Sequence, residues 1–135
     1  MSFADVRTPQ PVTLTHGRFV YLADRACAAD LRYDRTLKPA TSPDTFVKDV
    51  RLSIKSGEHL IFVLRGLTPP PYEAAAFRRF LAAENGSDRV ATHLLDSYGN
   101  TTLRSFRHDV HRLRILDRRI RSRAAKLGMH VCAKD

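Results

Sequence analysis

Residues 101–127 read TTLRSFRHDVHRLRILDRRIRSRAAKL, and this stretch has the most regular pattern in the chain. Its apolar residues recur at steps of three and four, which is the spacing of one face of an α-helix. Thr101 and Thr102 are good N-cap residues directly before it. The stretch therefore predicts a helix of at least three turns, with these residues facing inward: Leu103, Phe106, Val110, Leu113, Ile120, Ala124 and Leu127.

Asp117 interrupts this apolar seam, and it leaves two continuations open. In the first, the helix ends near Asp117, residues 115–127 form the hairpin of a wing, and residues 129–132 form a closing strand. In the second, the helix continues to Leu127 and pairs with a second copy as a coiled coil, in which Asp117 sets the register. Both leave the opposite face of the helix in solvent.

That opposite face carries a second stripe with the same spacing, formed by Arg104, Arg107, His111, Arg114, Arg118 and Arg121. Residues 101–135 contain ten Lys and Arg against three Asp, whereas residues 1–100 contain thirteen basic residues against eleven acidic ones. A local excess of one sign of charge costs self-repulsion unless a polyanion offsets it. The sequence therefore predicts an anionic partner.

Nucleic acid, an anionic membrane and an acidic protein are the three classes of partner that fit this charge. A membrane-binding helix carries Trp, Phe and Leu opposite its charges, and the chain has no Trp. Arginine bonds two acceptors at once on base edges and phosphates, which favours duplex DNA. We expect base reading from Arg104, Arg107, His108 and His111. The other predicted DNA contacts, mainly to phosphates, are Arg114, Arg118, Arg119, Arg121, Arg78, Arg79, Thr101 and Thr102.

Upstream of residue 57 the pattern is mixed. Residues 12–15 and 19–22 are rich in β-branched and aromatic residues and predict a hairpin around Gly17. Ser42 and Pro43 predict the start of a helix that Gly57 could end, although a strand through residues 50–54 fits as well.

Downstream, residues 59–64 read as a buried strand. After three prolines, a helix is predicted over residues 72–84, ended by Asn85 and Gly86, and a short helix then ends at Gly99. Together these elements predict one α+β domain. Residues 1–66 form a mostly β N-terminal layer with one possible helix, containing a small antiparallel sheet. Residues 67–135 form a three-helix helix-turn-helix unit with a basic C-terminal helix.

Three short motifs in the last 80 residues have a familiar order. Leu67-Thr68 precedes the acidic Glu73, Leu94-Leu95 precedes Tyr98-Gly99, and Arg112-Leu113-Arg114 lies in the last helix. In this order the chain resembles the winged helix-turn-helix domain of OmpR/PhoB-type response regulators. The resemblance implies a sheet, a wing and sequence-specific binding of duplex DNA by a transcriptional regulator, as a homodimer on paired half-sites. These 135 residues depart from the family's pattern because we expect no receiver domain within them and they keep helical spacing where the wing should form.

The remaining features predict little chemistry. Cys27 and Cys132 lack the spacing of a metal or redox motif, so we expect two buried thiols in a reducing cytoplasm. Residues 1–10 lack the apolar middle of a signal peptide, and no apolar run reaches membrane-spanning length, which also favours a cytoplasmic location.

No nucleophile with a base, pair of carboxylates or glycine-rich phosphate loop is evident, so we expect neither an enzyme nor a cofactor. His108 and His111 lie one helical turn apart, as zinc ligands do, but further ligands are missing, so we expect no metal. Two alternative functions stay open. One is an adaptor whose basic helix binds an acidic protein or a second copy; the other is an RNA-binding protein or small nuclease that uses scattered His and Asp.

Overall fold

The computed structural model of the chain describes residues 12–37 and 41–134, and every regular element in them is helical. The four long helices are α1 (His16–Thr36), α2 (Pro43–Arg65), α3 (Ala74–Asp96) and α4 (Leu103–Lys126). The predicted α+β class is therefore wrong, since the described residues contain no strand or sheet. Residues 1–11 and 38–40 of the predicted N-terminal layer lie outside the described residues.

The predicted hairpin over residues 12–22 is replaced by the start of α1. Thr15 caps this helix by accepting a hydrogen bond from the backbone N–H of Arg18. Phe19, Ala23 and Cys27 then follow at steps of four and are all fully buried. The β-branched and aromatic residues between them predicted strands, but the helical period of the core residues prevails because burying them stabilises the helix.

α2 begins where its capping signal predicts and ends later than expected. Ser42 accepts from the backbone N–H of Thr45 in a capping box, and Pro43 occupies the first helical position. The helix then runs through Gly57 and includes residues 59–64, which were predicted as a strand. Leu60 and Leu64 are buried while Phe62 is 75 % exposed, so this apolar run has one buried helical face rather than two buried strand faces.

α3 is likewise one helix where the sequence predicts two. A 3₁₀ turn at Pro71–Glu73 leads into it, close to the predicted start. The helix continues across Asn85 and Gly86, the predicted end. A Cβ placed on Gly86 would lie 3.5 Å from Leu116 Cδ2, so the glycine stands where α3 and α4 approach closely. The short second helix of a helix-turn-helix unit is therefore absent as a separate element.

α3 and α4 form a long antiparallel hairpin. Arg123 contacts Arg79, Leu116 lies opposite Gly86, and Asp109 lies opposite His93. Each step of seven residues along α3 thus matches a step of seven in the reverse direction along α4, which is the repeat of helices that pack nearly parallel to one another. The helices of a helix-turn-helix unit instead cross at roughly 90–120°. The predicted helix-turn-helix unit is therefore wrong.

α4 follows the second of the two predicted continuations. Its N-cap is Thr102, which accepts from the backbone N–H of Ser105, and the helix runs without a break to Lys126. The wing and the closing strand at 129–132 are therefore absent, and that segment forms turns instead. Gly99, with φ +85°, makes the positive-φ turn that its position predicts between α3 and α4.

The core is concentrated at one end of the bundle, which we call the disulfide end. Here the aromatic rings of Phe19 and Phe77 meet edge to face, with centroids 4.8 Å apart. The chain after α4 returns to α1, because Asp24 Oδ1 accepts from the backbone N–H groups of Val131 and Cys132 at 3.0 and 3.2 Å. The other buried members of this cluster are Ala23, Cys27, Leu60, Leu64, Phe80, Ala83, Ile120, Ala124, Leu127 and Met129.

Cys27 and Cys132 are joined by a disulfide across 105 residues of sequence, with Cα atoms 5.2 Å apart. They are buried, as expected, but they are not the free thiols that the sequence favoured. Their separation along the chain gave no indication of their proximity in space. None of the helices in the described parts of the chain is both long and apolar enough to cross a bilayer.

Candidate nucleic-acid interface

The outward stripe of α4 lies in solvent, as its spacing predicts. We call it the arginine face, and its members are all exposed: Arg104, Arg107, His111, Arg114, Arg118 and Arg121. They lie opposite Ile120 and Ala124, which are buried against the rest of the bundle. At a rise of 1.5 Å per residue, the distance along the helix from Arg104 to Arg118 is about 21 Å.

Most of these guanidinium groups have no acidic partner within the described part of the chain. Arg121 pairs with Asp117, with Nε and Oδ2 3.3 Å apart, and both side chains are about half exposed. No carboxylate oxygen of the described residues lies within 4 Å of the guanidinium groups of Arg104, Arg107, Arg114, Arg118 and Arg119. The arginine face is therefore an uncompensated band of positive charge.

The arginines of α3 lie at the opposite end of this band from Arg104. Arg78 and Arg79 are exposed near the disulfide end. The Nη1 group of Arg123 donates to the carbonyl oxygen of Arg79 at 2.6 Å, and Lys126 joins them around a cavity of about 220 Å³. The structure extends the positive surface from α4 onto α3 here, but it does not bring Arg78 and Arg79 to the predicted base-reading residues.

The two threonines before α4 differ in their surroundings. Thr102 already serves the helix, because its hydroxyl oxygen accepts from the Ser105 backbone and its proton is donated to Ser105 Oγ. Thr101 is partly buried in the turn. Of the two threonines, Thr102 is thus the one whose side chain already caps the helix.

Leu103 and Asp109 depart from the predicted seam of α4. Leu103 is 64 % exposed, although the spacing placed it inward. Asp109 is buried, and its side chain is only 8 % exposed. The first half of α4 packs less deeply than the second half. The buried position in this half is therefore the polar Asp109 rather than the apolar Leu103.

Asp109 belongs to a polar cavity of about 360 Å³ between α3 and α4. The cavity is lined by His93, Arg104, Ser105, His108 and Asp109, and we call it the polar cavity. His93 Nε2 lies 3.6 Å from Asp109 Oδ2, and Arg112 Nη1 lies 3.9 Å from Asp109 Oδ1. His93 and His108 are both exposed, so solutes reach both imidazoles.

His93 is the residue of this cavity that sequence reasoning missed. The sequence places it in a separate short helix, where an isolated histidine carries no signal. Once α3 is one continuous helix, His93 stands seven residues beyond Gly86 and faces Asp109, one of the two acids in α4. Antiparallel pairing of two 23- and 24-residue helices would have predicted this contact.

The described residues contain no group of three His, Cys, Asp or Glu side chains arranged to hold a metal ion. His108 and His111, the pair with zinc-like spacing, are therefore not joined by a third such side chain. Comparisons of the chain with protein-family models, curated proteins and solved structures found no match. The functional argument therefore depends on the arginine face and the polar cavity themselves.

Proposed function

We propose that the chain binds the phosphate backbone of nucleic acid through the arginine face of α4. The observation that carries this proposal is the band of guanidinium groups on one side of a rigid helix, of which only that of Arg121 has an acidic partner among the described residues. Each strand of duplex DNA carries one phosphate per about 3.4 Å of helix axis, so a face about 21 Å long can meet several phosphates. Several phosphates can therefore be neutralised together.

Duplex DNA is the first ligand to test, because it is the partner that the sequence favours. Sequence-specific reading by Arg104, Arg107, His108 and His111 is the sharper form of the proposal. It is supported by the exposure of these residues on the half of α4 that is less covered by the bundle. RNA shares the phosphate chemistry and is the second ligand.

The experiment measures fluorescence anisotropy of labelled duplex DNA and RNA over a range of salt concentrations. The triple variant Arg107→Ala, Arg114→Ala, Arg118→Ala removes three charges from the arginine face. The matched control removes three exposed arginines from α1 and α2: Arg32→Ala, Arg35→Ala and Arg51→Ala. The two proteins have the same net charge, so any difference between them is due to position.

We expect the control to keep most of the affinity and the triple variant to lose at least tenfold. The slope of log affinity against log salt should also flatten by about 2.7 for three lost phosphate contacts on B-DNA. Equal losses in the two variants would contradict the proposal, and so would affinity that does not depend on salt. Binding to an acidic protein but to neither nucleic acid would support the adaptor alternative, and light scattering would test the expected homodimer.

The disulfide bears on where this binding takes place. Disulfides persist in oxidising compartments and are rare in the cytosol. We infer that the chain folds in an oxidising compartment rather than in the cytoplasm that its sequence favoured. Transcription takes place in reducing compartments, where disulfides are rare, so transcriptional regulation is not part of the proposal. Alkylation of the thiols in intact cells, followed by mass spectrometry, tests the compartment: two alkylated cysteines would contradict it.

A further inference from the structure

The polar cavity contains a group that a simple phosphate site would not need. Arg104, His93 and His108 are cationic or hydrogen-bonding groups that suit a phosphate. Asp109 lines the same cavity, and a carboxylate repels a phosphate. A buried carboxylate beside an imidazole instead suits a histidine that takes up a proton, because the carboxylate orients the ring and stabilises the imidazolium that forms.

The cavity also has a second imidazole and a direct link to the arginine face. His108 comes from α4, one turn after Arg104, whereas His93 comes from α3. Arg104 belongs both to the arginine face and to the cavity lining. A strand bound along α4 would therefore bring one phosphate to the cavity that Arg104, His93 and His108 line together.

We propose that the polar cavity cleaves RNA by transesterification, with His93 as general base and His108 as general acid. This inference rests on the proposed function, because the arginine face must hold the strand. The nucleophile belongs to the substrate, since the ribose 2′-hydroxyl lies next to the phosphate. The imidazoles of His93 and His108 carry out both proton transfers, so each transfer uses a side chain of this protein.

The step balances as follows. His93 takes the proton of the 2′-hydroxyl while the 2′-oxygen forms a bond to phosphorus. The bond from phosphorus to the 5′-oxygen of the next nucleotide breaks, and that oxygen receives a proton from His108. The products are a 2′,3′-cyclic phosphate and a 5′-hydroxyl. Exchange with water then restores both imidazoles.

Arg104 and Asp109 have supporting roles. Arg104 neutralises charge on the non-bridging phosphate oxygens as it grows in the transition state. Asp109 does not touch the substrate; it is a positioning residue that acts through His93. Ser105 Oγ accepts from Thr102, which leaves its own proton available for a phosphate oxygen.

The test incubates a labelled single-stranded RNA with the purified chain in the presence of a metal chelator. A DNA strand of the same sequence serves as the substrate control, because it lacks the nucleophile. His93→Ala and His108→Ala remove the two proposed proton carriers. His59→Ala is the matched control, since His59 is an exposed histidine on α2 outside the cavity.

We expect RNA fragments with 2′,3′-cyclic phosphate ends and no cleavage of DNA. Each cavity variant should cleave at least about 100-fold more slowly, and His59→Ala should match the unmodified chain. Added imidazole should restore part of the activity of His93→Ala, which a purely structural loss would not allow. The His93→Ala and His59→Ala variants should bind RNA as before, and all variants should keep the same helical circular dichroism.

Binding of RNA without any cleavage would overturn this inference and leave the proposed function intact. If the His93→Ala or His108→Ala variant cleaves RNA at the rate of the unmodified chain, the inference is also overturned. Cleavage of the DNA strand would overturn it as well. If the unmodified chain binds neither RNA nor DNA, the proposed function is overturned, and this inference with it.

Discussion

The two ends of the bundle are built from the same four helices but differ in how they are closed. At the disulfide end, large apolar side chains from all four helices meet, and a covalent bond joins α1 to the segment after α4. At the other end, α3 and α4 meet around the polar cavity. Here the apolar Leu103 is largely exposed, and the buried residue of the first half of α4 is Asp109. Large buried apolar side chains are thus concentrated at one end, and the polar cavity lies at the other.

This difference shows how one helix, α4, can contribute both to the core at the disulfide end and to the polar cavity at the other end. The second half of α4 inserts Ile120 and Ala124 into the core and fixes the direction of the whole helix. Because α4 is continuous, its first half is held in place although little apolar surface covers it. The polar residues of that half are therefore carried on a rigid element, which positions side chains more precisely than a loop does.

The largest effect on stability should come from the disulfide. A double Cys27→Ala, Cys132→Ala variant should lose about 4 kcal/mol of unfolding free energy, because the bond closes a loop of about 100 residues. Urea unfolding followed by circular dichroism measures this. The unmodified chain with its disulfide reduced should show a similar loss, and if both keep the stability of the oxidised chain, the disulfide end is not the anchor of the bundle.

Substitutions at the two ends sharpen the comparison. Phe80→Ala should cost about 3 kcal/mol or more, since Phe80 is fully buried in the disulfide-end cluster. Leu103→Ala, at the other end of the hairpin, should change the unfolding free energy by less than about 0.5 kcal/mol. Thermal and urea unfolding of both variants check this pair, and similar losses would show that the two ends are packed alike.

A further effect depends on pH and comes from Glu84, which lies on α3 between the two ends. Burial, together with the nearby carboxylates Asp30, Asp117 and Asp88, raises the pKa of Glu84 to about 7. The folded chain therefore keeps a proton that the unfolded chain releases near its ordinary pKa of 4.5. Between these values the folded state binds more protons, so stability falls as pH rises, and the loss is complete above about pH 7.

Glu84→Gln should remove that loss. At pH 8 the variant should be more stable than the unmodified chain by on the order of 2 kcal/mol, and at pH 4 the two should be nearly equal. Urea unfolding at both pH values measures the difference. Glu58→Gln, an exposed glutamate on α2, is the control and should show little dependence on pH. A Glu84 variant that is equally stable at pH 8 would place the carboxyl in solvent.

The local sequence determined the start of α2 at its capping box, the start of α4 at Thr102 and the outward phase of the arginines. These features depend on neighbours within a few residues, so caps and helical spacing are sufficient to predict them. The run at 59–64 and the break at Gly86 could not be read in this way. An apolar run suits a strand or a helix, and only packing against another element selects one of them.

Tertiary structure alone decided the disulfide and the polar cavity. Cys27 meets Cys132 because the segment after α4 returns to α1, and His93 meets Asp109 because α3 and α4 are antiparallel. Such contacts depend on how far each helix extends before it turns, and a shift of a few residues would separate both pairs. The amino-acid sequence alone therefore predicted the positive charge of α4. The contact between His93 and Asp109 beside that charge depends on the tertiary structure.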